Sequence, residues 1–279
     1  MKKYLVFPLL AVLSVLVFSG CADAEQSSSE QTKDDTSTKQ EQEKPEEVKA
    51  EKEAEQEKRE AAKQEEEQQE PQYKISEVSS IVPIDNAEEQ VALLTFDDAP
   101  DKHALEIANS LKEQNAPAIF FVNGHFLTTD EEKETLKKIY DMGFAIGNHT
   151  YSHANLNDLT QEETKEEILK VNELVEEITG EKPAFFRAPF GENTDYSRQL
   201  AEEEGMAVMN WTYGYDWESQ YQDKDALAEI MVNTELLGNG ANLLMHDREW
   251  TAAAVPEIVE GLRDKGFTLV NPDAIERPS

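Results

Sequence analysis

The sequence predicts an α/β domain with a mainly parallel sheet, spanning residues 73–279. Short apolar runs alternate there with longer segments whose apolar residues recur at helical spacing. Glycines stand where the helical segments end, which is the usual place of a C-terminal cap: Gly143, Gly180, Gly205 and Gly266. Repeated strand–helix alternation favours parallel strands joined by helices. Periodicity alone allows both an open doubly wound sheet and an incomplete barrel.

Each apolar run is predicted as a strand because it is short and bounded by polar or turn-forming residues. In chain order the predicted strands are Val91–Phe96, Ala118–Val122, Phe144–Ile146, Ala184–Phe186, Ala207–Trp211, Asn242–Met245 and Phe267–Val270. The amphipathic segments between them are predicted as helices. These are Leu105–Gln114, Glu131–Met142, Gln161–Thr179, Tyr196–Glu204, Asp225–Leu237 and Ala252–Lys265.

The first twenty residues have the layout of an export signal. Two lysines precede an apolar run from Tyr4 to Phe18, and the small residues Ser19 and Gly20 follow. The run is too short for a comfortable membrane-spanning helix. The stretch that ends at Cys21 resembles a bacterial lipobox, although Phe18 stands where Leu, Val or Ile is usual. This resemblance implies lipidation of Cys21, and the alternative is an ordinary signal peptide with an incidental cysteine.

Residues 21–72 contain almost nothing that could form a core. They are rich in Glu, Gln, Lys, Ser and Thr, a composition that cannot bury enough apolar surface to offset the entropy of ordering. We expect a solvated spacer, with a transient single helix as the alternative, because Ala, Glu, Lys and Gln form helices readily. Cys21 is the only cysteine, so an intramolecular disulfide is excluded.

The acidity of the chain lies mostly in the predicted domain. The formal net charge is −33, and residues 71–279 carry −25 of it, because residues 1–20 carry +2 and residues 21–70 carry −10. Nucleic acid and anionic lipid are disfavoured as partners, since both require positive charge. A neutral polymer is an easier substrate than a polyphosphate.

Polar residues follow several of the predicted strands directly. Asp97 and Asp98 follow the first, His149 the third, Arg187 the fourth and His246 the sixth. The carboxyl ends of parallel strands are where active sites form, both in barrels and in open sheets. The recurrence of this placement predicts one site built from these residues.

The spacing of the histidines indicates a metal centre. His149 and His153 are four residues apart, so one helical turn or compact loop would direct both side chains the same way. Two imidazoles and one carboxylate are a common ligand set for zinc. Asp97 or Asp98 could complete the set while the other remained free as a base. Taken singly, the histidines could be surface residues, and the two acids could cap a helix or lie in a solvated turn.

Arg187 and His246 also admit two interpretations. A guanidinium at a strand end could pair with a carboxylate and hold it ionised. A histidine beside an acid could serve as a general acid. Alternatively, each could be a satisfied structural polar group.

Together these stretches resemble the ordered motifs of the polysaccharide deacetylases, the NodB-homology domains of carbohydrate esterase family 4. The motifs are Thr95-Phe96-Asp97-Asp98, His149-Thr150-Tyr151-Ser152-His153, Arg187-Ala188-Pro189-Phe190-Gly191, Asp216-Trp217 and Leu244-Met245-His246. The resemblance covers residues 91–270. It implies a distorted, incomplete (β/α)7-type barrel and a divalent metal, usually zinc, with Co²⁺, Ni²⁺ and Mn²⁺ as alternatives.

The resemblance also implies roles for individual residues. Asp98, His149 and His153 would bind the metal and Asp97 would be the catalytic base. Arg187 would position Asp97, His246 would be the general acid and Asp216 would tune it. The backbone N–H of Phe190 would donate to the oxyanion, while Trp217 and Leu244 would form the pocket for the acetyl methyl group. Two positions depart from the family: Ala99 replaces the usual glycine, and Phe190 the usual tyrosine. A positive φ at Ala99 would require a rearranged loop.

The expected activity is removal of N-acetyl groups from a β-linked amino-sugar polymer, either peptidoglycan or a chitin-like oligosaccharide. The alternatives are an O-acetyl esterase acting on xylan or exopolysaccharide, and a non-catalytic glycan-binding lipoprotein. We expect a monomer on the extracytoplasmic side of the cell membrane, attached only through a lipid on Cys21. A glycan polymer is the expected partner and nucleic acid is not.

Overall fold

The structure is a computed structural model that describes residues 70–278. The predicted signal peptide, Cys21 with its predicted lipid and the predicted spacer as far as residue 69 lie outside the described residues. Between residues 70 and 278, no helix combines the length and apolar character that crossing a membrane requires.

Strands and helices alternate through most of the described chain. The strands are β1 (Tyr73–Ile75), β2 (Ile81–Pro83), β3 (Val91–Ala99), β4 (Ile119–Val122), β5 (Ala145–Asn148), β6 (Phe185–Phe186), β7 (Ala207–Val208), β8 (Tyr213–Gly214), β9 (Ala241–His246) and β10 (Thr268–Leu269). The α-helices are α1 (Ala104–Glu113), α2 (Asp130–Asp141), α3 (Gln161–Thr179), α4 (Asp195–Glu203), α5 (Lys224–Asn233) and α6 (Glu249–Asp264).

The main sheet is parallel and curls into an incomplete barrel. Seven of its eight strands run in the order β7-β6-β5-β4-β3-β9-β8, and β10 pairs with the start of β3. The central strand β3 pairs with β4 on one side and β9 on the other. The predicted α/β fold with a distorted, incomplete (β/α)7-type barrel is therefore confirmed.

Both faces of the sheet are buried, which explains why β3 reads as a continuous apolar run. Along β3, Leu93 belongs to an inner apolar cluster and Leu94 to an outer one that includes residues of the surrounding helices. The inner cluster also contains Tyr73 and Ile81 from the antiparallel hairpin β1–β2. That hairpin lies at the amino end of the barrel, where Ile81 N–H donates to the carbonyl of Gly240 at 2.8 Å. The carboxyl ends of the strands remain for the site.

Some short elements differ from the sequence prediction. The sequence pattern does not predict the hairpin β1–β2 or the strand β8, and only Ala207 and Val208 of the strand predicted over Ala207–Trp211 form a strand, β7. The helix predicted to end at Leu237 ends at Asn233. Thr234 leaves the helical conformation with a ψ of 147°, and its hydroxyl is 2.7 Å from the hydroxyl of Tyr215. A tertiary hydrogen bond thus coincides with the end of a helix that local pattern alone would extend.

Candidate active site

A bulge in β3 explains how two adjacent acids reach one site. Successive side chains of a regular strand point to opposite faces. Here Phe96 pairs with Phe120, whereas Ala99 pairs with Val122, so β3 contains one residue more than β4 over this interval. Asp98 lies within it at a φ of 61°. The extra residue interrupts the alternation, and both carboxylates turn toward the histidines of the neighbouring segment.

Strained backbone is concentrated around these residues. Asp98, Thr150, His153 and Phe190 all have positive φ, between 60° and 68°. Such conformations are costly for residues other than glycine and persist where the surrounding structure imposes them. Ala99 does not have a positive φ, so its replacement of glycine requires no rearranged loop. The uncommon angle belongs instead to Asp98, one position earlier.

Asp97 is held by a buried guanidinium. Arg187 Nη1 donates to Asp97 Oδ1 at 2.6 Å and to the hydroxyl of Thr95 at 2.9 Å, while Nη2 donates to the carbonyl of Asn210 at 2.8 Å. The other oxygen of Asp97, Oδ2, is 3.5 Å from His149 Nε2. One carboxylate oxygen is therefore fixed and the other faces the histidines.

Asp98, His149 and His153 form a set of possible metal ligands. Each supplies one ligand atom, and these atoms lie within 4.8 Å of one another. His149 Nδ1 is 2.7 Å from the carbonyl oxygen of Arg187, so Nδ1 carries the proton and the lone pair of Nε2 is free. A backbone acceptor on the other ring nitrogen is the usual arrangement around a metal-bound histidine. The residues present therefore fit a divalent metal such as the resemblance implies.

The protonation states also suit metal binding, which requires neutral imidazole and ionised carboxylate. Burial lowers the pKa of His149, and this effect exceeds the opposing attraction of Asp97. Burial raises the pKa of Asp98, but the attraction of neighbouring groups, His246 and Arg248 among them, outweighs it, so the net pKa is lowered.

His246 lies at the end of β9, opposite Asp97 in the register of the sheet. Its Nδ1 is 2.7 Å from Asp216 Oδ1, and its backbone N–H donates to Asp216 Oδ2 at 2.6 Å. Asp216 is also held by the hydroxyl of Thr251 at 2.8 Å. Burial lowers the pKa of His246, but the hydrogen bond and charge of Asp216 reverse this and raise it. His246 is thus favoured as a cation with Nε2 available to donate.

Aromatic side chains stand at the mouth of the site. Phe190 is 62% exposed, and its ring centroid is 4.8 Å from that of His153. Trp217 is 47% exposed and meets His246 edge-on at 5.6 Å. A Cβ on Gly214 would lie 2.7 Å from the Trp217 ring and 2.3 Å from the carbonyl oxygen of Leu244, so only glycine fits there. This packing places Trp217 beside β9, the strand that carries His246.

An open cleft of about 560 Å³ adjoins Asp98, one of the three possible metal ligands. Asp98 lines it together with His125, Phe126, Arg248 and Trp250. Most side chains that line the cleft are charged or polar, and Phe126 and Trp250 are the large apolar ones.

One alternative drawn from the sequence, that the two adjacent acids cap a helix, is wrong. Neither Asp97 nor Asp98 caps the helix that follows, because helix α1 has no side-chain cap at His103. The carboxylate of Asp247 instead accepts from the backbone N–H groups of Asp101 and His103, at 2.6 and 2.5 Å. Asp247 therefore faces this loop, whereas Asp216 is the acid that contacts His246.

Sequence reasoning missed two residues that organise the site. Arg248 Nη2 donates to Asp98 Oδ2 at 2.7 Å. Asn123 Nδ2 donates to the backbone carbonyls of His149 and Thr150, at 2.6 and 3.2 Å, and thereby holds the turn between the two histidines. Their positions relative to the strands could have indicated both residues. Arg248 follows His246 by two residues, and Asn123 directly follows β4.

Comparison with known proteins agrees with this geometry. Residues 84–209 match the family described as polysaccharide deacetylase. Two peptidoglycan-N-acetylglucosamine deacetylases of Bacillus cereus are each 32% identical to the chain. The alignment with one covers 63% of this chain and 65% of the relative, and with the other 64% and 68%.

The name of a further relative specifies a different sugar. The peptidoglycan-N-acetylmuramic acid deacetylase PdaC of Bacillus subtilis is 30% identical over 74% of this chain. The chain spans only 43% of that relative and 65% of the first Bacillus cereus protein. Among solved structures, the T48 deacetylase with substrate is similar at a TM-score of 0.59 and 31% identity, over 68% of this chain and 92% of that one.

Proposed function

Because the chain belongs to the polysaccharide deacetylase family, we propose that it is a hydrolase that removes N-acetyl groups from the sugars of a β-linked polymer. The observation that carries the proposal is the placement of Asp97. One of its oxygens is held by Arg187, and the other lies beside the Asp98, His149 and His153 set. An ionised base next to a metal site is the arrangement that amide hydrolysis by water requires.

Asp97 is the general base in this account. Its Oδ2 takes a proton from the attacking water, since Oδ1 is occupied by Arg187. The guanidinium pairs with this carboxylate and fixes its direction. A positioned base of this kind typically contributes about 10²–10⁴-fold to the rate.

Asp98, His149 and His153 would hold the metal, which we propose to be zinc, with Co²⁺, Ni²⁺ and Mn²⁺ as alternatives. Members of this family are metal-dependent, and the three side chains supply the nitrogen and oxygen donors that zinc accepts. The cation supplies Lewis acidity toward the acetamide carbonyl when it is bound.

His246 is the general acid. The carboxylate of Asp216 orients the ring through Nδ1, and Nε2 then donates its proton to the leaving amine. The backbone N–H of Phe190 would donate to the developing oxyanion, a type of contact whose loss costs about 10²–10³-fold in rate. Trp217 and Leu244 would contact the acetyl methyl group, beside the ring that donates the proton.

The polymer that we propose is peptidoglycan. The named relatives are deacetylases of peptidoglycan sugars, and the open cleft beside Asp98 leaves room for a polymer chain. We further propose that the protein acts as a monomer on the extracytoplasmic side of the cell membrane and is attached through a lipid on Cys21. The acidic stretch that follows Cys21 would separate the domain from the membrane.

The test is acetate release by the zinc-loaded protein from peptidoglycan, chitooligosaccharides and acetylated xylan, with Asp97→Asn as the matched control. We expect acetate together with a new ninhydrin-reactive amine from peptidoglycan, and neither product from the variant. Acetate without an amine would identify an O-acetyl esterase. Binding of glycan without acetate from any substrate would identify a binding protein and contradict the proposal.

A further inference from the structure

Arg248 makes contacts that the proposed mechanism does not use. Its Nη2 donates to Asp98 Oδ2 at 2.7 Å, and its Nη1 donates to the backbone carbonyl of Asp247 at 2.9 Å. The side chain of Asp247 in turn accepts from the backbone of Asp101 and His103, just beyond Asp98. Adjacent residues at the start of helix α6 therefore hold both the carboxylate of Asp98 and the loop that follows it.

We propose that Arg248 is the positioning residue of the metal centre. By holding Oδ2 of Asp98, Arg248 leaves Oδ1 of the same carboxylate free for the metal. This Oδ1 lies 3.6 Å from Nε2 of His153. The inference rests on the proposed function in one respect, since it takes Asp98, His149 and His153 as the metal ligands. Arg248, which follows the end of β9, is thereby added to the three residues that supply ligand atoms.

Asp98 requires such a partner because its backbone alone does not fix its carboxylate. The residue lies in a bulge, where regular strand pairing is interrupted. A planar guanidinium can bind a carboxylate oxygen and a backbone carbonyl at once, whereas an ammonium group has no such fixed fork. Arg187 does the same for Asp97. Each acid of the pair thus has one oxygen held by its own arginine and one oxygen directed toward the histidines.

The charge of Arg248 has an opposing effect, since a guanidinium repels a divalent cation. The side chain is 36% exposed, so solvent screens this repulsion. Outer partners that orient metal ligands are typically worth about 10- to 100-fold in metal affinity. We therefore expect orientation to outweigh repulsion. The two effects predict opposite changes in zinc affinity when Arg248 is replaced.

The experiment measures zinc affinity by competition with a chromophoric chelator, without any glycan. The variants are Arg248→Ala, Arg248→Lys and, as a matched control, Arg263→Ala, which removes an exposed arginine from the other end of α6. We expect Arg248→Ala to weaken zinc binding about tenfold or more. Arg248→Lys should lie between Arg248→Ala and the unaltered protein, because one donor and the charge remain. Arg263→Ala should bind like the unaltered protein.

Equal or tighter zinc binding by Arg248→Ala would overturn the inference, because repulsion would then be the main effect of Arg248. Circular dichroism of the metal-free variants shows whether they are folded. If Arg248→Ala is unfolded, the zinc affinity of Arg248→Lys is compared with that of the unaltered protein instead. If the protein binds zinc with the expected order of affinities but releases no acetate, only the proposed function fails. If the unaltered protein binds no zinc, the inference fails together with the metal site.

Discussion

Arg187 and Asp97 form an ion pair in which both side chains are buried. Arg187 Nη1 lies 2.6 Å from Asp97 Oδ1, and the two side chains are 0% and 3% exposed. The same guanidinium also donates to the Thr95 hydroxyl and the Asn210 carbonyl, so three acceptors fix its position. Burial lowers the pKa of Arg187, although the charge of Asp97 opposes this. The pair links the candidate base to the core of the barrel.

Arg187→Ala should therefore destabilise the fold as well as stop turnover. Removing one partner of a buried ion pair leaves an uncompensated charge and typically costs about 3–5 kcal/mol. We expect a decrease of this size in the free energy of unfolding, measured by urea denaturation at neutral pH. Arg198→Ala, which removes an exposed arginine, should change it by less than about 0.5 kcal/mol. Equal stability of the two variants would show that the pair is not buried as described.

His153→Ala should reduce metal content and activity together, because it removes one of three protein ligands. Zinc should also raise the melting temperature of the unaltered, stripped protein, since the metal binds the folded state. This increase should be smaller in the variant. The measurements are atomic emission and a thermal melt with and without zinc. His103→Ala removes a histidine outside the ligand set and serves as the control; full zinc content in His153→Ala would contradict the assignment.

Asp216→Asn should shift the pH dependence of turnover. His246 must be protonated to act as an acid, and Asp216 raises its pKa against the effect of burial. The amide removes the charge while burial remains, so the pKa of His246 should fall. The high-pH limb of kcat should therefore move to lower pH, while zinc affinity stays unchanged. An unshifted limb at saturating zinc would mean that another group supplies the proton.

Cys21→Ser tests the proposed anchor. Serine cannot form the thioether, so the variant should incorporate no label from a clickable fatty acid and should leave the membrane fraction or remain unprocessed. The unaltered protein, expressed in parallel, should be labelled. Equal labelling of both proteins would end the lipoprotein proposal and leave the deacetylase proposal intact.

The sequence predicts which residues meet because parallel strands place their carboxyl ends at one edge. Asp97 lies near the end of β3, His149 and Arg187 directly follow strands, and His246 ends one. The structure brings all four together. The predicted helices are also present, with ends that differ by a few residues. These features depend on local pattern and on a topology that the pattern implies.

The remaining features depend on contacts between distant segments. The bulge at Asp98 is a mismatch between β3 and β4, so no local pattern in β3 reveals it. The strand β8 has two residues, too few for any periodicity. Arg248 reaches Asp98 across 150 positions, and only the register of β9 beside β3 shows that the two are close. Such features become visible when the sheet is assembled.

In the proposed mechanism Asp97 is the base and Asp98 is a metal ligand. The most direct measurement is acetate release by Asp97→Asn and Asp98→Asn over a zinc titration, with metal content measured in parallel. Asp97→Asn should keep its zinc and lose about 10²–10⁴-fold in turnover at every zinc concentration, because an amide cannot accept the proton. Asp98→Asn should lose zinc and partly recover activity as zinc is raised. Rescue of Asp97→Asn by zinc, or identical behaviour of the two variants, would contradict the assignment.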